Sequence, residues 1–260
     1  MLADKPLARK RIVVTRPRAQ AAGFCRKLAE AGAIPIRFPT IRITPMPDTR
    51  RLDAALQRLR DYAWIIFTSV NGVAYCWDRL AAVASTQLPA SLRVAAIGPA
   101  TAQALRERHI VPDFVPTEFV AERIAEGLGA VTGQALLLPR AEAARKTLAA
   151  LLADQGARVD EIPAYRTLPE APSPEAFAAL EAGVDVLTFT SSSTVRHYAA
   201  LVAERPPHGA QEALVACIGP ITAETARGLG YEVATVADEY TTDGLIRALE
   251  THFSGLDGRG

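Results

Sequence analysis

Short, unbroken apolar runs alternate along this chain with stretches in which apolar residues return every three or four positions. The runs read as strands near Arg11–Thr15, Ala33–Phe38, Ala63–Thr68, Arg93–Ile97 and Ile110–Val115. Between them the helical spacing falls near Ala19–Ala31, Thr49–Leu59, Val70–Val83, Pro99–Arg108 and Phe119–Leu128. From Gln134 the same succession starts again and ends in a helix near Thr242–Thr251, with a frayed tail expected from Ser254 to Gly260. Trp64-Ile65-Ile66-Phe67 is apolar at every position, which suits a strand covered by helices on both faces. Strands joined through helices by short connections give open parallel sheets of the doubly wound kind.

The second succession is a repeat of the first in detail. Ala63–Val73 resembles Asp185–Val195, Val94–Ala102 resembles Val215–Ala223, and Ile12–Arg16 with Glu30–Ala33 parallels Leu136–Arg140 with Asp154–Ala157. All these pairs are displaced by about 122 residues, a steadiness that chance does not produce over most of a chain. Two proline-rich segments, Ile34–Pro47 and Ile162–Pro172, hold equivalent places in the two halves. Proline at that density disfavours helices and interior strands, so both read as extended connectors. Paired connectors let the chain enter a second domain at one and return at the other; a single cut near Val131 satisfies the pattern equally. The fold class predicted is α/β, with two similar doubly wound parallel-sheet domains joined by two extended connector strands.

Composition removes several function classes. The 260 residues are 49% hydrophobic and 22% charged, an ordinary globular balance. Lys and Arg number 29 against 28 Asp and Glu, with no basic stripe, so nucleic acid is not an expected partner. No window has the length of a membrane span, and Met1–Arg11 lacks the apolar stretch of a signal peptide. The cysteines, Cys25, Cys76 and Cys217, are few, scattered and set among apolar neighbours. They read as buried free thiols in a reducing cytoplasm.

Candidate chemistry falls where doubly wound sheets bind ligands, at the carboxyl ends of the strands. Gly98-Pro99-Ala100-Thr101 and Gly219-Pro220-Ile221-Thr222 each follow a strand and open a helix. Glycine permits the turn, proline needs no donor at the first helical position, and the amides that follow suit a carboxylate or phosphate. Ser69 and Ser191 follow the equivalent strand in each half, as helix caps, ligand contacts or both. Arg16 and Arg140 end the first strand of each half, where a guanidinium can pair with a carboxylate or be solvated. Tyr165, beside Arg166 and Thr167, is a connector hydroxyl suited to donating a proton, anchoring a hydrogen bond or packing the connector. A Walker loop, a dinucleotide fingerprint, a hydrolase serine elbow and metal-ligand spacing are all missing, so no metal and no cofactor are expected.

Taken together, Thr15-Arg16-Pro17, Phe67–Val73, Ile97–Ala102, Tyr165-Arg166-Thr167, Phe189–Ser192 and Ile218–Ala223 give nearly the whole chain a pattern that resembles the uroporphyrinogen-III synthase family. The resemblance implies a discontinuous domain of residues 1–36 and 170–260, an inserted domain of 43–163, connectors at 37–42 and 164–169, and an active site between the domains. It implies a cofactor-free lyase of heme and porphyrin biosynthesis that takes hydroxymethylbilane, expels water and closes the ring with the last pyrrole inverted. On that basis Tyr165 is the catalytic candidate, donating to the departing hydroxyl. Arg16, Ser69, Gly98, Thr101, Arg140, Ser191, Gly219 and Thr222 are the substrate-binding candidates. Domain closure on flexible connectors, a monomeric state and a transient contact with the preceding pathway enzyme complete the expectation. The rival reading is a cytosolic two-domain sensor that closes on an anionic small molecule without chemistry; a paired phosphoacceptor of the response-regulator type lacks the acidic cluster it would need.

Overall fold

The apolar runs become the inner strands of two parallel sheets. The computed structural model describes residues 5–257. In chain order its elements are β1 (Arg11–Val14), α1 (Arg18–Glu30), β2 (Ile34–Arg37), β3 (Ile41–Pro45), α2 (Arg50–Leu56), β4 (Trp64–Phe67), α3 (Val70–Val83), β5 (Arg93–Ala96), α4 (Pro99–Arg106), α5 (Ala121–Gly127) and β6 (Ala135–Ala141). They continue with α6 (Thr147–Asp154), β7 (Arg158–Pro169), α7 (Pro174–Glu181), β8 (Val186–Phe189), α8 (Ser192–Glu204), β9 (Leu214–Cys217), α9 (Pro220–Gly228), β10 (Val233–Val236) and α10 (Thr242–Asp257). The chain forms two units. One comprises the residues up to Arg42 and from Leu168 onward, and the other comprises Ile43–Thr167.

In the first unit the sheet order is β2-β1-β8-β9-β10, with every pair parallel. Numbered within the unit this is 2-1-3-4-5, the flavodoxin-like order. The second unit runs β3-β7-β6-β4-β5, and a parallel bridge from Ala95 to Phe114 extends it beyond β5. Starting the count at β6 gives the same 2-1-3-4-5 order, with β3 added outside β7. The register agrees residue for residue: Val14 faces Arg37 in one sheet, and Leu138 faces Glu161 in the other. The second unit is therefore the first one circularly permuted, its third and fourth strands preceding its first and second in sequence.

Alternate strand residues feed opposite sides of each sheet. Trp64, Ile66, Leu136 and Leu138 pack with Leu148 and Leu152 on one face, while Ile65, Phe67 and Leu137 pack with Val73, Cys76 and Leu80 on the other. In the first unit Ile12 and Val14 meet Phe24 and Leu28, and Val13, Leu187 and Phe189 meet Val195 and Tyr198. Each such fully buried side chain contributes about 1.5–3 kcal/mol of transfer free energy.

Four sequence expectations change. The strand expected at Ile110–Val115 shrinks to the single bridge at Phe114. Pro112 has no N–H to give, and the Asp113 carboxylate takes the Val94 amide at 2.7 Å. The proline-rich Ile162–Pro172 segment falls largely within β7, which lies between β3 and β6 rather than outside the ladder. Pro163 is accommodated opposite Arg140, where the register shifts before Ala141 pairs with Tyr165. The helix expected over Thr49–Leu59 stops at Leu56, followed by a separate 3-10 turn at Leu59–Asp61. Finally, α10 continues to Asp257 through the start of the tail expected to fray; residues 258–260 of that tail, like residues 1–4, lie outside the described residues.

Gly209 tests the packing of the first unit. A Cβ there would stand 2.3 Å from the Leu180 carbonyl oxygen, 2.5 Å from that of Glu181 and 2.6 Å from the Gly183 nitrogen, all backbone atoms. Gly209→Ala is expected to destabilise the protein by about 2–3 kcal/mol, lowering Tm by roughly 5–10 °C. Gly228→Ala, where a Cβ meets nothing within 4 Å, should leave Tm unchanged or slightly raised in the same calorimetric scan.

Candidate functional site

A polar cluster in the second unit forms at the carboxyl ends of β4, β6 and β7, around the point where strand order reverses. Ser69 follows β4 and caps α3, its Oγ accepting from the Gly72 amide at 2.9 Å. Position 72 is tight: a Cβ would sit 3.2 Å from both Ser69 Oγ and the Pro139 carbonyl oxygen, so either neighbour would have to give by a few tenths of an ångström. Tyr165 enters from β7, beside Ala141, with only 6% of its surface exposed. Its Oη lies 3.0 Å from Ser69 Oγ. Burial pushes the phenol above the usual tyrosine range; hydrogen bonds from Ser69 and Asn71 and the charge of Arg140 oppose that rise. The phenol is thus a neutral acid whose conjugate base already has three stabilising neighbours.

Arg140, near the end of β6, is 6% exposed. Its Nη2 donates to the Arg145 carbonyl, and Nη1 stands 3.1 Å from Glu161 Oε1 on β7. That carboxylate is close enough for an ion pair but lies off the N–H direction, so Nε and Nη1 remain buried without a hydrogen-bond acceptor. Desolvation pulls the guanidinium pKa down, and Glu161 and Tyr165 pull it back up. A buried cation with idle N–H groups is an arrangement that a carboxylate ligand would complete.

One strand further along, Gly98 caps α4, and the Phe119 ring covers it: a Cβ at Gly98 would lie 3.1 Å from that ring. Thr101 is buried, at 4% exposure. The first unit repeats the arrangement. Gly219 caps α9 beneath the Tyr240 ring, 3.3 Å from the position of a Cβ, and Thr222 is buried. Ser191 caps α8, accepting from the Thr194 amide at 3.2 Å and lying 3.0 Å from Ser193 Oγ. Arg16 follows β1 half-buried; its Nη2 donates to Gln20 Oε1 at 3.2 Å, its Nε has no acceptor, and burial lowers its pKa.

The sequence-predicted residues therefore group by unit. Tyr165, Ser69 and Arg140 come together in the second, with Gly98 and Thr101 on the neighbouring strand–helix turn; Arg16, Ser191, Gly219 and Thr222 occupy the corresponding places in the first. The two groups are not chemically equal. Arg140 and Arg16 correspond at the repeat's spacing, which places Ile41 in sequence where the second half has Tyr165, so the phenol is a feature of the second unit's group. Sequence reasoning missed Asn71, Glu161, Phe119 and Tyr240. The last two were findable, since Glu118-Phe119 and Glu239-Tyr240 recur at the repeat's own spacing. The cysteines are free and buried, and burial pushes the Cys76 and Cys217 thiols up to about 12, which leaves them inert as nucleophiles.

Comparison with known proteins adds the following. The family described as Uroporphyrinogen-III synthase HemD matches residues 23–247. The chain is 36% identical over 257 residues to a uroporphyrinogen-III synthase of Synechococcus elongatus, covering 96% of this chain and 97% of that one. It is 28% identical over 249 residues to the uroporphyrinogen-III synthase of Chlorobaculum parvum, covering 92% and 98% respectively. Among solved structures, a mutant uroporphyrinogen III synthase from Thermus thermophilus shares the fold at a TM-score of 0.67 and 22% identity, over 95% of this chain and 99% of that one.

Proposed function

The chain belongs to the uroporphyrinogen-III synthase family, and from that premise we propose a mechanism in which Tyr165 is the acid of the reaction and the strand-end residues bind substrate carboxylates. The activity is that of an enzyme of porphyrin biosynthesis: hydroxymethylbilane loses water and closes to uroporphyrinogen III with ring D inverted. The observation that carries the assignment is the Tyr165 phenol, buried, hydrogen-bonded to Ser69 and flanked by the under-partnered Arg140 guanidinium.

Loss of the terminal hydroxyl needs a proton at the departing oxygen. Tyr165 supplies it, the C–O bond breaks, and water leaves behind an electrophilic azafulvenium cation, the N-protonated azafulvene. Ser69, Asn71 and Arg140 hold the resulting phenolate. The last pyrrole then attacks through its substituted carbon, the spiro intermediate fragments, and reclosure releases a proton that restores the phenol. Unaided closure gives the type I isomer, so the enzyme has to fix geometry as well as accelerate loss of water, and orientation is its larger contribution. Arg140 and Arg16 bring charge to the substrate's acetate and propionate arms. Ser69 and Ser191 offer hydroxyls. At Gly98 and Gly219 the first-turn amides of α4 and α9, with the Thr101 and Thr222 hydroxyls, offer the contact.

In the same reading the domain limits are 1–36 with 170–260, and 43–163, joined by connectors at 37–42 and 164–169. The passage from one unit to the other at Arg42–Ile43 and Thr167–Leu168 supports those connectors. The protein works as a cytoplasmic monomer that receives its unstable substrate through transient contact with the enzyme that makes it. Free buried thiols suit that compartment, and among the described residues no helix is long and apolar enough to cross a membrane.

The test is direct. Freshly generated hydroxymethylbilane is supplied to the protein, the products are oxidised, and the III to I ratio is measured. Type III product in excess and faster than spontaneous closure is expected; type I alone at the spontaneous rate overturns the assignment.

A further inference from the structure

Helix α3 meets Tyr165 at three points. Ser69, its cap, hydrogen-bonds the phenol, and Asn71 in the first turn reaches the same group. Tyr75, farther along the helix, lays its ring against the Tyr165 ring, with centroids 5.7 Å apart and planes inclined by 21°. The first two contacts hold one end of the phenol, the oxygen. They do not fix the plane of the ring, and hence the direction of the O–H bond, which turns with the side-chain torsions. A stacked ring supplies that missing restraint.

Tyr75 is itself anchored. Its hydroxyl donates to the Ile43 carbonyl at 3.1 Å, on β3, the strand that flanks β7 in the sheet. The Tyr75 ring is therefore held at both ends, by its own helix and by a neighbouring strand. We propose that Tyr75 is a positioning residue for the reaction: by stacking on Tyr165 while tethered to Ile43, it aims the phenol O–H at the departing hydroxyl. It touches neither substrate nor reacting atoms in this role. The inference rests on the reading of Tyr165 as the acid.

Positioning by one aromatic face acts on proton transfer and leaves carboxylate binding alone, so its signature is a loss in kcat with KM unchanged. Misplacement of a reacting group by an ångström can cost about 100-fold. A stack that is one of three restraints should cost less. Tyr75→Leu is expected to lower kcat about 10-fold with KM within roughly 2-fold of the parent. Tyr75→Phe keeps the ring and loses only the tether, so a kcat loss of about 3-fold is expected.

A double-substitution cycle with Tyr165→Phe separates this role from a structural one. If Tyr75 acts through the phenol, adding Tyr75→Leu to Tyr165→Phe changes kcat by less than about 2-fold. A purely structural Tyr75 would lower kcat equally in both backgrounds, and that result overturns the proposal. So does an unchanged kcat in Tyr75→Leu when Tyr165→Phe is slow. An unchanged kcat in Tyr165→Phe itself defeats the underlying acid assignment instead. Should Tyr75→Leu fail to fold, Tyr75→Phe decides by the same cycle: its loss must disappear in the Tyr165→Phe background, and a loss that persists there, or no loss at all, overturns the proposal.

Discussion

Replacing Tyr165 by phenylalanine should lower kcat by about 100-fold or more while leaving KM nearly unchanged. General acid catalysis by a positioned side chain is worth roughly 10²–10⁴-fold, and the substitution removes the proton donor with little else. Phenylalanine retains the ring that stacks on Tyr75, and the site is 6% exposed, so the core keeps its volume. Ser69 keeps its bond to the Gly72 amide, so α3 stays capped. The lost hydrogen bond to Ser69 costs about 1 kcal/mol of stability, too little to unfold the protein. The residual product should still be type III, because the residues that orient the bilane are untouched. Rate at saturating substrate and isomer ratio at high enzyme concentration check the two halves of this prediction, and an unchanged rate removes Tyr165 from the mechanism.

The same phenol sets an expectation for pH. Burial, the largest influence on it, raises its pKa above the ordinary 10.0 of tyrosine. A group whose acid form is the active one works below its pKa, and a raised pKa widens that window upward. The parent kcat should therefore show no loss from Tyr165 through pH 9. Stability follows the same sign: the buried neutral phenol is no liability below the unfolded value, and it opposes folding only once solvent pH passes it.

How much of this was legible beforehand divides along physical lines. The repeat was readable because both sheets bury the same strands on both faces, so Ile12–Val14 and Leu136–Leu138 carry the same apolar signature. The circular permutation was not readable. Periodicity reports where strands lie and is silent on which strands are neighbours, and only the pairings of β6 with β4 and β7 reveal it. Proline was weighed too heavily in one place and too lightly in another. Pro163 argued against a place for its segment inside the sheet, although a register shift absorbs it, and Ile110–Val115 looked like a strand although Pro112 and Asp113 reduce it to one bridge. Within the site, Ser69 and Arg140 were visible because each was read as ending or following a strand, and Tyr165 because it is the aromatic hydroxyl of the proline-rich Ile162–Pro172 segment. Glu161 and Tyr75 were not: a cross-strand partner and a ring on a helix flank depend on register and helix rotation, which one sequence does not supply.

Arg140 provides the second large effect, and its energetics allow binding to be separated from stability. The guanidinium has one ion-pair partner, Glu161, and two buried nitrogens, Nε and Nη1, without acceptors. A hydrogen bond to a charged group is worth about 1.5–3 kcal/mol. At about 1.4 kcal/mol per decade, Arg140→Met is therefore expected to raise KM roughly 10- to 100-fold. The fold should suffer less than a buried ion pair usually implies. Removing Arg140 strands the Glu161 carboxylate, but that side chain is 29% exposed and can turn to water. Pairing Arg140→Met with Glu161→Gln then removes the stranded charge, so Tm should recover most of its loss while KM stays high. Arg140→Lys should fall between parent and Arg140→Met, because an ammonium keeps the charge but not the Nε–H. If instead KM in Arg140→Met stays within about 2-fold of the parent while Tm falls, the guanidinium serves the pairing of β6 with β7 and the substrate carboxylates are held elsewhere.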